Sequence, residues 1–265
     1  MVIKIIDLED KYISEYCVCL EDWNNTLQAA GELKEQWVNK MKDKGLRAKL
    51  ALDENDVVGG MIEYIPIEQS FAEGTNLYFI NCIWVHGYEE GRGDFQKKGI
   101  GTELLNAAEA DVKNLGKAGL AAWGISAPFW MSASWYEKHG YKEVDRDGWS
   151  VLLLKKFSEN AIQPRWIKNQ YEQELIPGKV KITSFFNGQC MSENLMHLTA
   201  KKIADEFKDK VVFEEISTFE KNAMRRYGRK GGLFIQGKDV FTGAPLKYEE
   251  LKKIVVTEIE SLDKK

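Results

Sequence analysis

The chain has 265 residues, 44% of them hydrophobic and 29% charged, with a formal net charge of −4. That composition builds packed cores and excludes a disordered or low-complexity chain, and no run reaches the ~20 apolar residues that a membrane-spanning helix needs. Four cysteines (Cys17, Cys19, Cys82, Cys190) and three histidines (His86, His139, His197) are scattered along it, so neither a disulfide framework nor a metal site is expected.

The first element is a short strand at 2–6, followed by a helix from Asp10 to Leu20 and a second from Leu27 to Lys44 that stops at Gly45. Residues 47–67 read as two strands around an Asp-Glu-Asn-Asp turn. LYFINCIWVH, 77–86, is a nearly continuous apolar run of strand formers and predicts a buried central strand. A polar, glycine-rich loop covers 87–98. A helix follows over 100–115, then a buried strand at 118–125. The segment 131–141 predicts a short helix closed by Gly140, and 150–157 a further strand. Residues 158–178 carry two of the five prolines and read as a linker, with Trp166 and Tyr171 packing on neighbours.

Beyond residue 178 the pattern restarts. A strand (180–186), a helix (192–207), a strand (211–217), a helix (219–228), a hairpin (233–241) about Gln236-Gly237-Lys238 and a final helix (248–262) are predicted. Charge supports the division: residues 179–265 hold 17 basic and 13 acidic residues, against 20 and 28 in the rest. The expected organisation is therefore a domain at 1–157, a linker at 158–178 and a domain at 179–265. An acidic first domain argues against nucleic acid as a partner and suits a cationic one. The early acids of the N-terminus do not read as a secretory signal, which points to the cytoplasm.

The stretch QKKGIGTELL, 96–105, places two glycines and two lysines directly before a helix. A helix N-terminus exposes unpaired N–H groups and the positive end of its dipole. A loop without bulk lets an anion rest on those amides. Gly99 and Gly101 remove the Cβ atoms, Lys97 and Lys98 add charge, and Thr102 can donate another hydrogen bond. The competing explanation is a tight turn that needs positive φ. Neither the Walker spacing nor the dinucleotide fingerprint is present, since no Lys-Thr follows Gly99 and position 104 is Leu.

In context, Q-K-K-G-I-G between a buried strand and a long helix resembles the Q/R-x-x-G-x-G/A signature of the GNAT N-acetyltransferases. Downstream, W-Y-E-K-H-G-Y (135–141) is similar to the Y-x-K-x-G-F helix end of that family. The resemblance spans about 1–157 and implies a GNAT fold: an α/β architecture whose mixed, mostly antiparallel sheet is flanked by helices. It implies acetyl-CoA as co-substrate, with pyrophosphate on the amides of Gln96, Lys97, Lys98, Gly99, Ile100, Gly101 and Thr102. Pantetheine would run along the main chain of Ile83, Trp84 and Val85. Tyr136 falls where the family has a tyrosine that protonates the departing thiolate. Acetyl transfer to a primary amine, on a small molecule or a protein, also needs a backbone donor for the oxyanion, for which Val85 N–H is the candidate. It needs a group to take the proton of the amine, and Glu63, Glu89, Glu90, Asp94 and His86 all stand open for that role. A covalent route through Cys82 is weighed against ordinary packing of a buried thiol.

Three departures stand out. HGYEEGRGDF lengthens the loop and adds residues that can line an acceptor site. Phe129 stands where the family often has Asn. Gln96 replaces the commoner Arg, which removes a charge and keeps a donor.

The order of elements over 179–265 resembles a thioredoxin-like α/β domain, and Phe186-Asn187-Gly188 resembles the F-N-G motif of the small YoaP-like domain that follows some GNAT domains. Cys190 falls near the first redox cysteine of a thioredoxin, at a helix N-terminus that activates thiols, yet Glu193 stands three residues on and Lys230-Gly231-Gly232 replaces the cis-proline. A two-cysteine reductase is therefore not expected. The alternative function is a CoA-binding or thiol-based sensing module in which Cys190 is the working group. Arg225, Arg226, Arg229 and Lys230 make a basic cluster, read as a solvated helix end.

Overall fold

The structure is a computed structural model and describes residues 2–127, 131–240 and 244–264. The chain divides into two compact units, residues 1–24 with 38–167, and residues 25–37 with 168–265.

In the first unit the elements are β1 (Lys4–Asp7), α1 (Ile13–Cys17), α2 (Gln28–Lys42, whose residues up to Trp37 belong to the second unit), β2 (Arg47–Leu52), β3 (Val58–Pro66), β4 (Ala72–Glu73), β5 (Leu77–Val85), α3 (Ile100–Asn114), β6 (Gly119–Ile125), α4 (Ala133–Lys138), β7 (Lys142–Asp147), β8 (Ser150–Lys156) and β9 (Arg165–Trp166). Seven strands form one sheet in the order β1-β2-β3-β5-β6-β8-β7. β5 and β6 run parallel and the other neighbours antiparallel. α3 buries Ile100, Leu104, Leu105, Ala108 and Val112 on one face of that sheet, against Ile62, Tyr64, Tyr78 and Ile80. The spacing of those helix residues is the i, i+4, i+8 stripe that a core-facing helix requires. The opposite face carries a second core of Ile67, Leu77, Phe79, Leu152 and Trp166. Trp166, expected in the linker, packs on Phe71 and Phe79 with ring centroids 6.0 and 6.1 Å away.

The predicted helix from Asp10 to Leu20 is shorter in the structure. A 3-10 turn at Asp10–Tyr12 leads into α1, which ends at Cys17. Cys19 and Leu20 then take left-handed backbone, φ 53° and 67°, which no α-helix tolerates. Arg92 fixes that turn from outside by donating to Leu20 O at 2.9 Å and Val58 O at 3.2 Å and pairing with Glu15 at 2.8 Å and Asp22 at 2.6 Å. β7 was not predicted. Its sequence, KEVDRD, is charged because it is the edge of the sheet, where charge blocks unwanted pairing.

The second unit holds β10 (Val180–Phe186), α5 (Met191–Glu206), β11 (Val211–Ser217), α6 (Lys221–Tyr227), β12 (Gly232–Ile235), β13 (Lys238–Asp239) and α7 (Tyr248–Asp263). Its sheet has the order β11-β10-β12-β13, with β10 parallel to β11 and antiparallel to β12. Val180, Ile182, Leu233 and Ile235 face Met196, Ala200 and Ile203 of α5 and Leu251 and Val255 of α7. Phe185 and Phe234 meet Tyr171 at ring-centroid distances of 4.7 and 5.2 Å. The end of the predicted hairpin, at Phe241, lies outside the described residues.

Candidate active site

β5 and β6 pair only from Leu77↔Gly119 to Ile80↔Ala122. Beyond that point they part: β5 stays on β3 through Val85, while β6 continues along β8 through Ile125. The parting begins at Asn81, which the register between Glu63 and Tyr64 of β3 skips over as a bulge. Trp123 Nε1 donates to Asn81 O at 2.8 Å and bridges the base of the split.

The main-chain polarity of β5 follows from one bond. His86 N–H donates to Gly59 O on β3 at 3.0 Å. Antiparallel strands alternate inward and outward residues, so Trp84 turns its main chain towards β3 as well. Ile83 and Val85 turn theirs into the split. Of the three residues singled out in the sequence, two therefore offer a free edge and Trp84 does not. Part of that edge is occupied, because Gln96 Nε2 donates to Val85 O at 3.2 Å. A side chain on Gly87 would collide with Gln96, since an added Cβ would lie 2.2 Å from Nε2.

The glycine loop stands at the open end of this split. Gly99 precedes α3 with φ 80° and provides no side-chain cap. Lys97 is also left-handed, at φ 59°. Gln96, Lys97, Lys98 and Gly99 are exposed, Gly101 and Thr102 are half-buried, and Ile100 is buried in the core. Lys98 Nζ donates to Asp94 O and lies over the Phe95 ring. The two glycines serve different ends. Gly99 needs its positive φ, and space beyond its missing Cβ is open. Gly101 is an ordinary helical residue, where a Cβ would sit 3.5 Å from Trp135 and 3.9 Å from Val85. Turn strain accounts for Gly99 and leaves Gly101 unexplained.

Thr102 lies between the loop and α4. The carbonyl of Trp135 can only accept, so His139 Nδ1 carries the proton of their 2.8 Å bond, and Nε2 then accepts from Thr102 Oγ1 at 3.0 Å. α4 in turn docks on β6 through Gly124, where an added Cβ would be 2.8 Å from the main chain of Met131 and Ala133. This close seat fixes Tyr136, which is 0% exposed. Burial pushes its hydroxyl pKa well up, and Cys82 lies near enough to add to the effect. The hydroxyl is buried with no hydrogen-bond partner among the described residues. Position 129, the expected Asn site, lies outside the described residues.

The structure separates the open candidates for a proton acceptor. Glu89 and Glu90 are exposed on the loop, and exposed Asp94 accepts from Gln96 N at 2.8 Å. His86 is buried, donates through Nδ1 to Gly93 O at 2.8 Å, and stands edge-on to Trp23 and Tyr88. Glu63 is 0% exposed, and its Cα partner across the ladder is Cys82, at the base of the split. Among the described residues no group of three or more His, Cys, Asp or Glu is placed to hold a metal ion.

Four features of this site went unread in the sequence. Asn81 and Trp123 define the split. Gly59 and Gly60 let the loop and α3 descend on β3, since a Cβ would lie 2.1 Å from the Phe95 ring at Gly59 and 3.1 Å from Ile100 and Leu104 at Gly60. A Gly-Gly pair inside a strand is a recognised sign of close approach and could have flagged them.

In the second unit Cys190 is the N-cap residue of α5 and half-buried. Glu193 packs on Gly231, and Lys230 Nζ reaches Glu193 at 3.7 Å and Gln189 Oε1 at 2.9 Å. The F-N-G segment has structural work: Phe186 stacks on His197, Asn187 Nδ2 donates to Thr218 O at 2.8 Å, and Gly188 at φ 90° sits tightly against Phe219 and Trp37. In the basic cluster Arg229 pairs with Asp239 at 2.7 Å.

Residues 47–143 match the family model described as "Acetyltransferase (GNAT) domain". The chain is 26% identical over 207 residues to the "Uncharacterized N-acetyltransferase YoaP" of Bacillus subtilis (strain 168), covering 74% of this chain and 78% of that protein. Among solved structures it is similar to the PaiA N-acetyltransferase of Thermoplasma acidophilum in complex with coenzyme A, at 19% identity and TM-score 0.43, over 59% of this chain and all of that one. It is also similar to a GNAT-family acetyltransferase of Brucella melitensis in complex with acetyl-CoA, at 17% identity and TM-score 0.41, over 61% and 92%. Residues 47–143 of the first unit thus match a GNAT acetyltransferase domain, and the chain is an acetyltransferase enzyme.

Proposed function

We propose that the enzyme binds acetyl-CoA in the split between β5 and β6 and transfers the acetyl group to a primary amine by direct attack. The observation that carries this reading is a free main-chain edge on β5, opening towards a glycine-led helix N-terminus. Such an edge pairs with an extended amide-bearing chain as it would with another strand. The first-turn amides of α3 suit a pyrophosphate, and the missing Cβ of Gly101 keeps the wall between Trp135 and Val85 open for it. The hydroxyl of Tyr136, buried and without a partner among the described residues, suits a group that a ligand completes.

The chemistry then divides among these residues. The amine nitrogen attacks the thioester carbonyl carbon. The oxyanion needs a main-chain donor. Tyr136 lies by Cys82, so the neighbouring N–H of Ile83 is better placed for that than Val85, one step nearer the loop. Burial keeps Tyr136 protonated, which is the state an acid needs to give its proton to the departing thiolate. The acceptor is an amine on a small molecule or a protein.

For the second unit we propose a thioredoxin-like, YoaP-like fold, supported by the sheet order β11-β10-β12-β13 and the β-α-β-α-β-β-α succession. Four thiols without a disulfide fit a cytoplasmic protein. A second reading, a thiol-based module that holds CoA without turnover, is favoured by the position of Cys190 at the N-terminus of the 16-residue α5. Loss of CoA binding in Cys190→Ser, with no acetyl transfer by the wild type and Tyr136→Phe binding as before, would select it.

The deciding experiment is calorimetry of acetyl-CoA on the full chain. Binding near ~1 μM, about −8 kcal/mol, that disappears in a folded Gly101→Trp variant supports the reading. Absence of binding to the wild type refutes it.

A further inference from the structure

We propose that Trp84 and His86 form a recognition site for a hydroxyl group of the acceptor, which makes the acceptor a primary amine that also carries an alcohol. The proposal rests on reading the split as the acetyl-CoA site.

Place comes first. Ile83 and Val85 pack against the core under α3. Side chains alternate along a strand, so Trp84 faces the other side of the sheet, and His86, two residues on, shares that side. An acceptor can approach a thioester held along the edge of β5 from this face, opposite the glycine loop and α3. Aromatic rings wall it. Trp23, in the segment after α1, meets the His86 ring edge-on with centroids 5.1 Å apart. Tyr88 meets His86 edge-on at 5.2 Å and Trp84 at 6.2 Å, so one ring touches both side chains.

Two polar atoms in this cluster await a partner. His86 is 0% exposed. Its Nδ1 donates to Gly93 O at 2.8 Å, so Nε2 carries the lone pair and accepts. Nε2 is buried and meets no donor among the described residues. Trp84 Nε1, which can only donate, is also buried and meets no acceptor among them. A fold loses stability for each polar group that it buries unpaired, and a phenylalanine at either position would fill the space without that loss. The pair defines its ligand. A hydroxyl satisfies both atoms, giving its proton to Nε2 and accepting that of Nε1. An ammonium group satisfies only Nε2, and a carboxylate only Nε1. The ring over the pair, Tyr88, is 49% exposed. Its loop has left-handed glycines at Gly91 (φ 77°) and Gly93 (φ 86°), and a ligand reaches the pair by turning that ring aside.

Spacing sets the length of the acceptor. With Ile83 N–H as the oxyanion donor, the thioester carbon stands beside Ile83. The midpoint between Trp84 and His86 lies two residues further along β5, about 7 Å at strand spacing. An extended chain advances about 1.2 Å per bond, so that span is about six bonds from the attacking nitrogen to the hydroxyl oxygen. The linear amino alcohol 5-amino-1-pentanol has this spacing. The rings of Trp84 and Tyr88 offer apolar surface to the methylenes between its two ends.

The test uses the full chain with acetyl-CoA and three acceptors: 5-amino-1-pentanol, the matched pentylamine, and 2-aminoethanol as a short amino alcohol. CoA release gives the rates, and acetyl-CoA binding is measured separately by calorimetry. A site built to pair with a hydroxyl rejects the analogue that lacks it, so kcat/KM for 5-amino-1-pentanol should exceed that for pentylamine by about 100-fold or more. The short 2-aminoethanol should do no better than pentylamine. His86→Phe and Trp84→Phe should each shrink the pentanol-to-pentylamine ratio to below about tenfold, mainly through KM for the alcohol. The ratio is taken within each variant, so a general loss of rate does not enter it. Wild-type rates for the two five-carbon amines within about threefold of each other overturn the proposal, and the two polar atoms then pair with water. A preference for the alcohol that survives in both variants overturns the assignment to Trp84 and His86. If the variants do not fold, the wild-type comparison decides alone. A wild type that binds acetyl-CoA and acetylates none of the amines overturns the acceptor and leaves the cofactor site standing. A wild type that does not bind acetyl-CoA sinks the reading of the split itself.

Discussion

Replacing Tyr136 by Phe should make the resting protein more stable and the enzyme much slower. The Tyr136 hydroxyl is buried and has no hydrogen-bond partner among the described residues. A buried polar group left unpaired costs about 1–3 kcal/mol. Removing one oxygen returns most of that, less a small loss of packing against Trp135 and Tyr141, whose ring centroids lie 5.0 and 5.4 Å away. A net gain of about 1 kcal/mol is expected, which in a unit of this size raises Tm by roughly 2–4 °C. Acetyl transfer, by contrast, should fall about 100-fold with the loss of a general acid, and acetyl-CoA should bind as before. Thermal unfolding without ligand and steady-state rates on the same preparation decide the matter. A variant destabilised by more than about 1 kcal/mol would mean that the hydroxyl has a structural partner. A variant within threefold of the wild-type rate would mean that it is a core aromatic and nothing more.

The glycine pair should respond in opposite directions. Gly99→Ala forces a side chain into φ 80° and should cost about 1 kcal/mol, read by urea unfolding. Gly101→Ala has room for its Cβ and a helix propensity gain approaching ~1 kcal/mol, yet it should weaken acetyl-CoA binding about tenfold or more by calorimetry. Arg92→Ala strips Leu20 O, Val58 O, Glu15 and Asp22 of their shared partner. It should destabilise the first unit by about 2–4 kcal/mol, again by urea unfolding. Asp111 supplies a pH test. Burial alone would raise its pKa, but hydrogen bonds from Arg47 (2.8 Å from Nη2) and Tyr64 (2.6 Å) prevail and hold it below the ordinary carboxylate value. That stabilisation is complete above about pH 4 and is lost as pH falls through the lowered native value. Stability of Asp111→Asn should therefore depend less on pH below 4 than that of the wild type.

The sequence displayed what is periodic or local. The run at 77–86 reads as a central strand because nearly every side chain there is apolar, and α3 reads as a helix because its buried residues recur every turn. Gly99 and its lysines are visible as a loop for the same reason. The split itself is not visible, because it is a relation between two strands that pair for four residues and then part. Nothing in AGLAAWGI announces that Trp123 will reach back to Asn81 O. The helix predicted through Leu20 failed for a comparable reason. Its pattern is helical, and the left-handed backbone at Cys19 and Leu20 is imposed by Arg92, over 70 residues away. β7 was hidden because an edge strand hides its pattern under charge. Residues 25–37 join the second unit through bonds such as Asn194 Nδ2 to Ala30 O at 3.0 Å, separated by 164 positions.

Glu63 shows how the same limit bears on chemistry. In sequence it is one of five residues, four acids and a histidine, that could serve as a base, and on exposure statistics the loop acids look as good. What distinguishes it is a sum of small placements. A bulge at Asn81 shifts the register by one residue, and with it the facing of every later side chain on β5. That shift brings Cys82 opposite Glu63 and turns the main chain of Ile83 and Val85 into the split. The same bulge residue then supplies the amide that holds the carboxylate. Deleting Asn81 should return β5 to regular register, close the ladder and turn the apolar side chains of Ile83 and Val85 to the other face. The first unit would then lose its split. A folded deletion variant that still bound acetyl-CoA would show that the bulge does not create the edge.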